Sequence, residues 1–523
     1  FDSSTGTLTI SGSGAMNDYE YGDYPWMDYR NSIQTIVIGD QITQIGWNAF
    51  PWTACSTIKF GKNVRSIGER AFNGCRNLNG DLTLPDSVQT IGAGAFQGCE
   101  KLSGDLTIPD SVQTIGDSAF EFCTGLNGTL TLGKNLRTIG KKAFSGCAFT
   151  GSLTIPEGIT EIAIGTFSSS RSNGMFTGTL TLPSTLKTIG ASAFSYTDFS
   201  GELLIPDGVT SIGANAFKEC DGFGGLLSLP DSVKTVGEWA FYLCKGFTGL
   251  KLSAGLTKIE KLSFAHMYGL RTEVVIPEGV TEIGESAFQC SHMPSICFPS
   301  TLKKIGKEAF YFSLNCKITF PDGLEVIEDE AFALCNVKSA VILPASIKSI
   351  GKKAFDSDWS YGKHNDIPLG AYFLGAAPQL VGTGNANCSF PSDWTLNYLP
   401  GTSGWMGDTY EGYQIVPWDG ETRWDNLYTD DFGYRDNKWN KIETSWSVNT
   451  DTGKITLTDD LNEGCVVAVS YDAEGRVTSI GVLRTKTDFV VLNLQDTCRL
   501  FLLNASSAPR LNTPVTINDY LPT

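Results

Sequence analysis

Leu106-Thr-Ile-Pro-Asp-Ser-Val-Gln-Thr-Ile-Gly-Asp-Ser-Ala-Phe120, followed by a thiol at Cys123, is one copy of a unit that recurs along the chain. The same order of residue types returns with a Phe at 50, 72, 96, 120, 144, 167, 194, 217, 241, 264, 288, 310, 332 and 355. Successive Phe residues are 22 to 27 positions apart. A fixed period of this size is the signature of a solenoid, in which each unit stacks on its neighbours. Leu106-Thr107-Ile108 alternates apolar and polar, which predicts a short strand with Leu106 and Ile108 inward and Thr107 outward. Pro109 has no amide hydrogen and ends that strand. Asp110-Ser111 supplies turn chemistry. Val112 and Ile115 suit a second inward-facing arc, and Gly116 suggests a positive φ. Asp117-Ser-Ala-Phe120 is short enough for one helical or 3₁₀ turn with Ala119 and Phe120 inward.

No unit can bury its apolar side alone. Stacking sets Leu on Leu, Ile on Ile and Phe on Phe, so one core runs through all copies. The expected fold is a β-rich solenoid, a leucine-rich repeat array of about 14 coils with short strands and short helical turns. Four segments are expected: an N-terminal cap and first strand over 1–45, the solenoid with its closing segment over 46–418, an aromatic-rich linker over 419–447, and a small antiparallel β-sandwich over 448–523. The sandwich rests on strand-like runs such as Cys465-Val-Val-Ala-Val-Ser-Tyr471 and Val477-Thr-Ser-Ile-Gly-Val-Leu483, joined by the turn sequence Asp472-Ala-Glu-Gly475.

The 523 residues carry a net charge of −17 and are 41% hydrophobic. That balance supports a core and argues against nucleic acid or an anionic membrane surface as partner. No apolar run is long enough to span a bilayer. The chain opens at Phe1, consistent with removal of a preceding leader. Of its 14 Cys, Cys75, Cys99, Cys123, Cys147, Cys220, Cys244 and Cys335 each follow the repeat Phe by three. They are expected to be free thiols in a buried column of small apolar residues. No Cys-x-x-Cys pair is present, and Asn449-Thr-Asp451 lacks the rest of a calcium loop. The three His, His266, His292 and His364, share no acid or nucleophile in a recognisable motif, and His266 reads as a partly packed coil residue. No catalytic residue, metal site or cofactor is expected.

The repeat pattern Leu-x-Ile-Pro-x-x-Val-x-x-Ile-Gly-x-x-Ala-Phe-x-x-Cys resembles the BspA-like leucine-rich repeat family. Thr5-Gly-Thr-Leu-Thr-Ile-Ser-Gly-Ser-Gly-Ala-Met16 is similar to that family's opening, and Tyr372-Phe-Leu-Gly-Ala-Ala-Pro378 with Tyr398-Leu-Pro-Gly-Thr-Ser-Gly-Trp405 to its closing segment. The resemblance implies an exported or surface protein of a bacterium, tied to adhesion. Its implied partner is an extracellular protein or glycan of a host or neighbouring microbe. Leu399-Pro-Gly-Thr-Ser403 reads as a turn, because a sortase signal needs Gly as its fifth residue and an apolar tail.

The candidate binding surface is the outward strand position, Thr83, Thr107, Thr131, Thr154 and Thr181, extended by Trp394 and Trp405. Further on, that position becomes mixed: Leu204, Ser228, Lys251, Val275, Cys297, Thr319 and Ile342. Asp81, Asp105, Glu202 and Glu273 flank it. The Ser168-Ser-Ser-Arg-Ser-Asn-Gly174 insert reads as a surface loop. Two other roles compete: a spacer presenting another domain, and a glycan-acting enzyme with two carboxylates converging near 394–446.

Overall fold

The computed structural model describes residues 1–20, 22–169, 176–314, 318–335, 341–356, 370–381, 389–391 and 394–417, and beyond these only strands between 446 and 516. The tip of the 168–174 insert and nearly all of the 419–447 segment lie outside the described residues. Two compact units are present, the repeat array ending at Val416 and a second beginning at Pro417.

Each coil has three sides, and the Leu106 copy shows why. Leu106–Thr107 forms a two-residue strand that pairs in parallel with Leu130–Thr131 of the next coil. Leu106 is fully buried and Thr107 exposed, as the alternation requires. After the Pro109 turn, Thr114–Ile115 forms a second strand, parallel to Thr90–Ile91 and Thr138–Ile139 on either side. The inward arc expected from Val112 and Ile115 is therefore a second parallel ladder.

The third side is neither helix nor strand. From Gly116 to Cys123 the amides alternate their acceptors. Ala119, Glu121 and Cys123 donate to the carbonyls of Gly116, Ser118 and Phe120, three residues back, at 3.3, 3.1 and 3.2 Å. Ser118, Phe120 and Phe122 donate to Lys141, Ala143 and Ser145 of the next coil, each at 2.8 Å. The result is a ribbon of successive turns locked to its neighbour. The first and third of these turns carry a left-handed third residue, as type II turns do, supplied by Ser118 (φ 56°) and Phe122 (φ 60°). The expected helical turn is corrected accordingly. Among the described residues the one helix is the 3₁₀ turn Met27–Tyr29.

The positive φ expected at Gly116 is also corrected. Gly116 stays outside the left-handed region, and its role is close approach. A Cβ there would sit 2.5 Å from Ala93 N and 2.7 Å from Gly92 C. Ala163 fills the equivalent place where the flanking Phe144 and Phe167 rings stand 5.6 Å apart, against 5.3 Å between Phe96 and Phe120. Glu328 fills it where Phe310 and Phe332 are 5.3 Å apart, and nothing in the structure explains that.

Inside, the repeat Phe residues form a column of near-parallel rings. Phe96 and Phe120 are tilted by 7°, Phe120 and Phe144 by 3°. Offset-stacked pairs contribute ~0.5–1.5 kcal/mol beyond their area. The column extends past the fourteen copies at both ends. Trp26 stacks on Phe50 at 5.1 Å and donates its indole N–H to Ala49 O at 2.8 Å. Phe390 stacks on Phe355 at 5.3 Å. The N-terminal segment is thus a further coil: Thr7–Ile10 pairs in register with Thr35–Ile38. At the other end Gly370–Phe373 pairs with Val341–Leu343, and Thr395–Tyr398 adds to it. The array is a parallel β-solenoid of about 15 turns.

The seven thiols are buried, six of them, Cys75, Cys99, Cys123, Cys147, Cys220 and Cys244, as free cysteines, but they are more than apolar filler. Cys75, Cys99, Cys123 and Cys147 donate to the carbonyls of Phe50, Phe72, Phe96 and Phe120 at 3.0–3.3 Å. Cys220, Cys244 and Cys335 repeat the contact with Phe194, Phe217 and Phe310. Ser291 makes the same bond to Phe264 O at 2.7 Å, and Ser313 to Phe288 O. The position selects a small donor: buried Phe carbonyls such as those of Phe72, Phe96 and Phe120 already accept the amide three residues on, and the thiol of the next coil gives them a second hydrogen bond.

Beyond Pro417 the strands are antiparallel and form two sheets. Trp446–Asn449, Lys454–Leu457 and Phe489–Val491 make one, and Val477–Leu483, Cys465–Tyr471, Thr497–Leu503 and Val515–Thr516 the other.

Candidate functional site

Thr83, Thr107, Thr131, Thr154 and Thr181 all lie exposed in one column along the first strand position. Thr107 faces Thr131, and Thr154 faces Thr181, in register. The Thr column is regular because each coil repeats the same pleat. The flanking Asp105 is engaged within the fold: its Oδ1 accepts the Thr129 amide at 2.6 Å and the Thr129 hydroxyl at 2.9 Å, which holds its carboxyl below the usual carboxylate range.

The column changes character after Thr181. Gly201–Leu204, Phe223–Ser228 and Phe247–Lys251 are strands of four, six and five residues, joined as one parallel sheet. Register shifts at Glu202/Leu204 and Gly225/Leu226 re-aim the side chains, as bulges do. Leu204 is left 72% exposed and Leu226 53%. Val275, two coils further, is 54% exposed. A shallow groove of about 550 Å³ runs between Leu204, Leu226 and Pro230, with Asp207, Asp231 and Lys251 at its margin.

Trp394 and Trp405 do not join this surface. Trp394 is buried and stacks on Phe390 at 5.7 Å. Trp405 is buried between Phe373 and Tyr398, at 4.9 and 5.3 Å, and donates to Gly375 O at 3.2 Å. Both cover the last coils, whose apolar end would otherwise meet water. The two indoles are structural.

A second surface lies on the turn ribbon, where the residues beside each Phe point outward. In the early coils they are mostly polar, with two separate exposed rings, Trp52 and Phe122. Asn73 donates to Gln97 at 2.9 Å, Gln97 to Glu121 at 2.7 Å, and Lys142 pairs with Glu121 at 3.6 Å. From Tyr196 onward rings replace them. The Lys218 ammonium sits 5.8, 4.8 and 5.6 Å from the Tyr196, Trp239 and Tyr242 ring centres, a cation–π arrangement. Tyr242 meets His266 edge-on at 5.1 Å, and the His266 Nδ1 and Tyr268 hydroxyl are 2.6 Å apart. Tyr268 meets His292 at 5.6 Å, and His292 meets Phe312 at 5.1 Å. The rings form an unbroken band across the coils. Burial lowers both imidazoles from their usual value, with Lys245 adding to the effect on His266 and Arg271 to that on His292. His266 is a packed coil residue, as its sequence context suggests, but it is also one link of this band. The strand alternation points to the Thr column and away from the ribbon. The available signal is the run of large residues one, two and four places after the repeat Phe.

The family model described as the BspA type leucine-rich repeat region, in six copies, matches residues 27–104, 103–224, 225–338 and 315–364. The chain belongs to this family. No curated protein matches the chain. Among solved structures, this BspA-type chain is similar to a leucine-rich repeat protein from Bacteroides ovatus, with 25% identity over 65% of this chain and 79% of that one and a TM-score of 0.47. A leucine-rich cell surface protein from Faecalibacterium prausnitzii shares 27% identity over 58% and 84%, with a TM-score of 0.38. The pneumococcal vaccine antigen PcpA shares 15% over 72% and 89%, with a TM-score of 0.33. Among the described residues no helix is long and apolar enough to cross a membrane.

Proposed function

We propose that this BspA-type repeat protein is a non-enzymatic adhesion protein at a bacterial surface, and that it docks an extracellular protein on its strand face. The observation that carries the reading is the exposure of Leu204, Leu226 and Val275 on a strand face whose outward position is Thr from Thr83 to Thr181. Large apolar side chains grouped on a folded surface mark interaction sites. A pure spacer would need no such break in a polar face. Asp207, Asp231 and the flanking Glu202 and Glu273 surround the patch, so the fitting partner offers an apolar side chain bordered by Lys or Arg.

The test is solid-phase binding of the full chain to a panel of extracellular-matrix proteins, with Leu204→Asp/Leu226→Asp and, as control, Thr107→Asp/Thr131→Asp. The expected result is a hit that the first pair weakens at least tenfold and the second leaves intact. The reading fails if no protein binds, or if the Thr pair matters as much as the Leu pair.

A further inference from the structure

The ring band on the turn ribbon is a different face from the strand patch and calls for a different ligand. We infer that the band from Trp239 to Phe312 is a binding site for a neutral glycan chain.

Three features argue for this chemistry. The first is charge. The cations around the band are already satisfied within the fold. Lys245 pairs with Asp221 at 2.7 Å and Lys261 with Glu285 at 2.9 Å. Arg271 donates to the Tyr268 and Leu270 carbonyls at 3.0 and 2.7 Å, and Lys218 lies over rings. His266 and His292 are held towards the neutral form. A sulfated or sialylated chain would compete with the Asp221 and Glu285 carboxylates for Lys245 and Lys261 and approach a molecule of net charge −17. A neutral ligand meets neither cost.

The second is surface chemistry. A ring face is negative and a ring edge positive. The axial C–H bonds of a pyranose carry a small positive charge and lie well on such a face, while its hydroxyls need donors and acceptors at the margin. The Tyr268 hydroxyl, the imidazole nitrogens and the paired carboxylates of Asp221 and Glu285 supply them along both edges.

The third is spacing. Ring contacts of 5.1–5.6 Å link four successive coils from Tyr242 to Phe312, the second coil contributing both His266 and Tyr268. An extended polymer of like units can therefore bind unit by unit. A protein partner would need a groove for its side chains, whereas here the rings fill each other's gaps edge to face.

The experiment uses the intact chain on an array of neutral α- and β-linked hexasaccharides beside sialylated and sulfated ones, followed by calorimetric titration of the strongest neutral hit. Variants are Tyr268→Ala alone, whose ring is exposed, Tyr268→Ala/His292→Ala, and Leu204→Asp as a control on the strand face. The account expects neutral glycans to be retained, the double variant to weaken binding at least tenfold, the single variant to weaken it severalfold, and Leu204→Asp to bind as the parent does. It is overturned if charged glycans are preferred, if no neutral glycan is retained, or if both Tyr268 variants bind as the parent does. Loss of binding in Leu204→Asp would also overturn it, by moving the glycan to the strand face. Failure here leaves the protein-docking assay unaffected, because the two use different ligands and different variants.

Discussion

The coils around Phe96 to Phe144 and those around Phe217 to Phe288 are the same on the inside and different on the outside. Ring separations are 5.3 to 5.4 Å in the first group and 5.3 to 5.7 Å in the second. The thiol of Cys123 and the hydroxyl of Ser291 bond the same carbonyl position. Outside, the first group shows Thr107 and Thr131 on the strand face and, on the ribbon, Gln97 over the buried Glu121 carboxylate with a single exposed ring, Phe122. The second group shows Leu226 and Val275, then Tyr242, His266 and Tyr268. Every coil must seat on its neighbours, so the interior cannot vary. The exterior answers to nothing in the stack, and its departures from the repeat are where recognition is to be sought.

The largest test of that comparison is Phe120→Ala against Phe241→Ala. Each removes one fully buried ring from the column, and each should cost about 3–5 kcal/mol in urea unfolding of the full chain. A loss confined to one of them would show that the two interiors are not equivalent. Next is Gly116→Ala. Its methyl would press on the Ala93 amide, and overpacking of this kind costs about 1–3 kcal/mol. An unchanged midpoint would show that the ribbon has room for a side chain at this place.

The thiol column gives a smaller and more diagnostic effect. Cys123→Ala removes the second of two hydrogen bonds to the buried Phe96 carbonyl, which keeps the Cys99 amide, a loss of about 0.5–1.5 kcal/mol. Cys123→Ser keeps the donor and should recover most of that, as Ser291 and Ser313 show in their own coils. Equal losses in both variants would mean that the column needs only volume. Burial also pushes the Cys99, Cys147 and Cys244 thiols well above their usual range, so alkylation of the folded chain should spare them.

The smallest effect separates the two ribbons by pH. His266 and His292 titrate below the ordinary His value near 6.5 in the folded chain. Between that lower value and 6.5 the unfolded chain holds more protons, so stability is full above 6.5 and declines as the pH falls through the window. His266→Gln/His292→Gln should flatten this part of the profile. Retention of the full decline in this window would show that the two imidazoles are not its source.

The inside of this protein was legible in its sequence because stacking forces a strict period. Leu106, Ile115 and Phe120 announce their burial by recurrence alone. The reason for Gly116 was misread, since sequence cannot distinguish a special backbone angle from a neighbour too close for a side chain. The ribbon read as a helical turn for a similar cause: four residues between Gly and Phe carry too little pattern to reveal alternating bonds to the next coil. Trp394 and Trp405 suggested an aromatic platform, yet large rings at the end of a repeat array are also what covers its last apolar layer. The ring band was hidden because Tyr242, His266, Tyr268 and His292 occupy different repeat positions and come together only when coils are placed side by side.

Hydroxyl-radical footprinting of the full chain tests the claim of equal interiors and unequal exteriors most directly. Leu204, Leu226, Tyr268 and His292 should be modified readily, and Phe96, Phe120, Phe241 and Phe288 should be protected to the same degree in both groups. Comparable labelling of the Phe column, or protection of Leu204 and Tyr268 in the isolated chain, would contradict it.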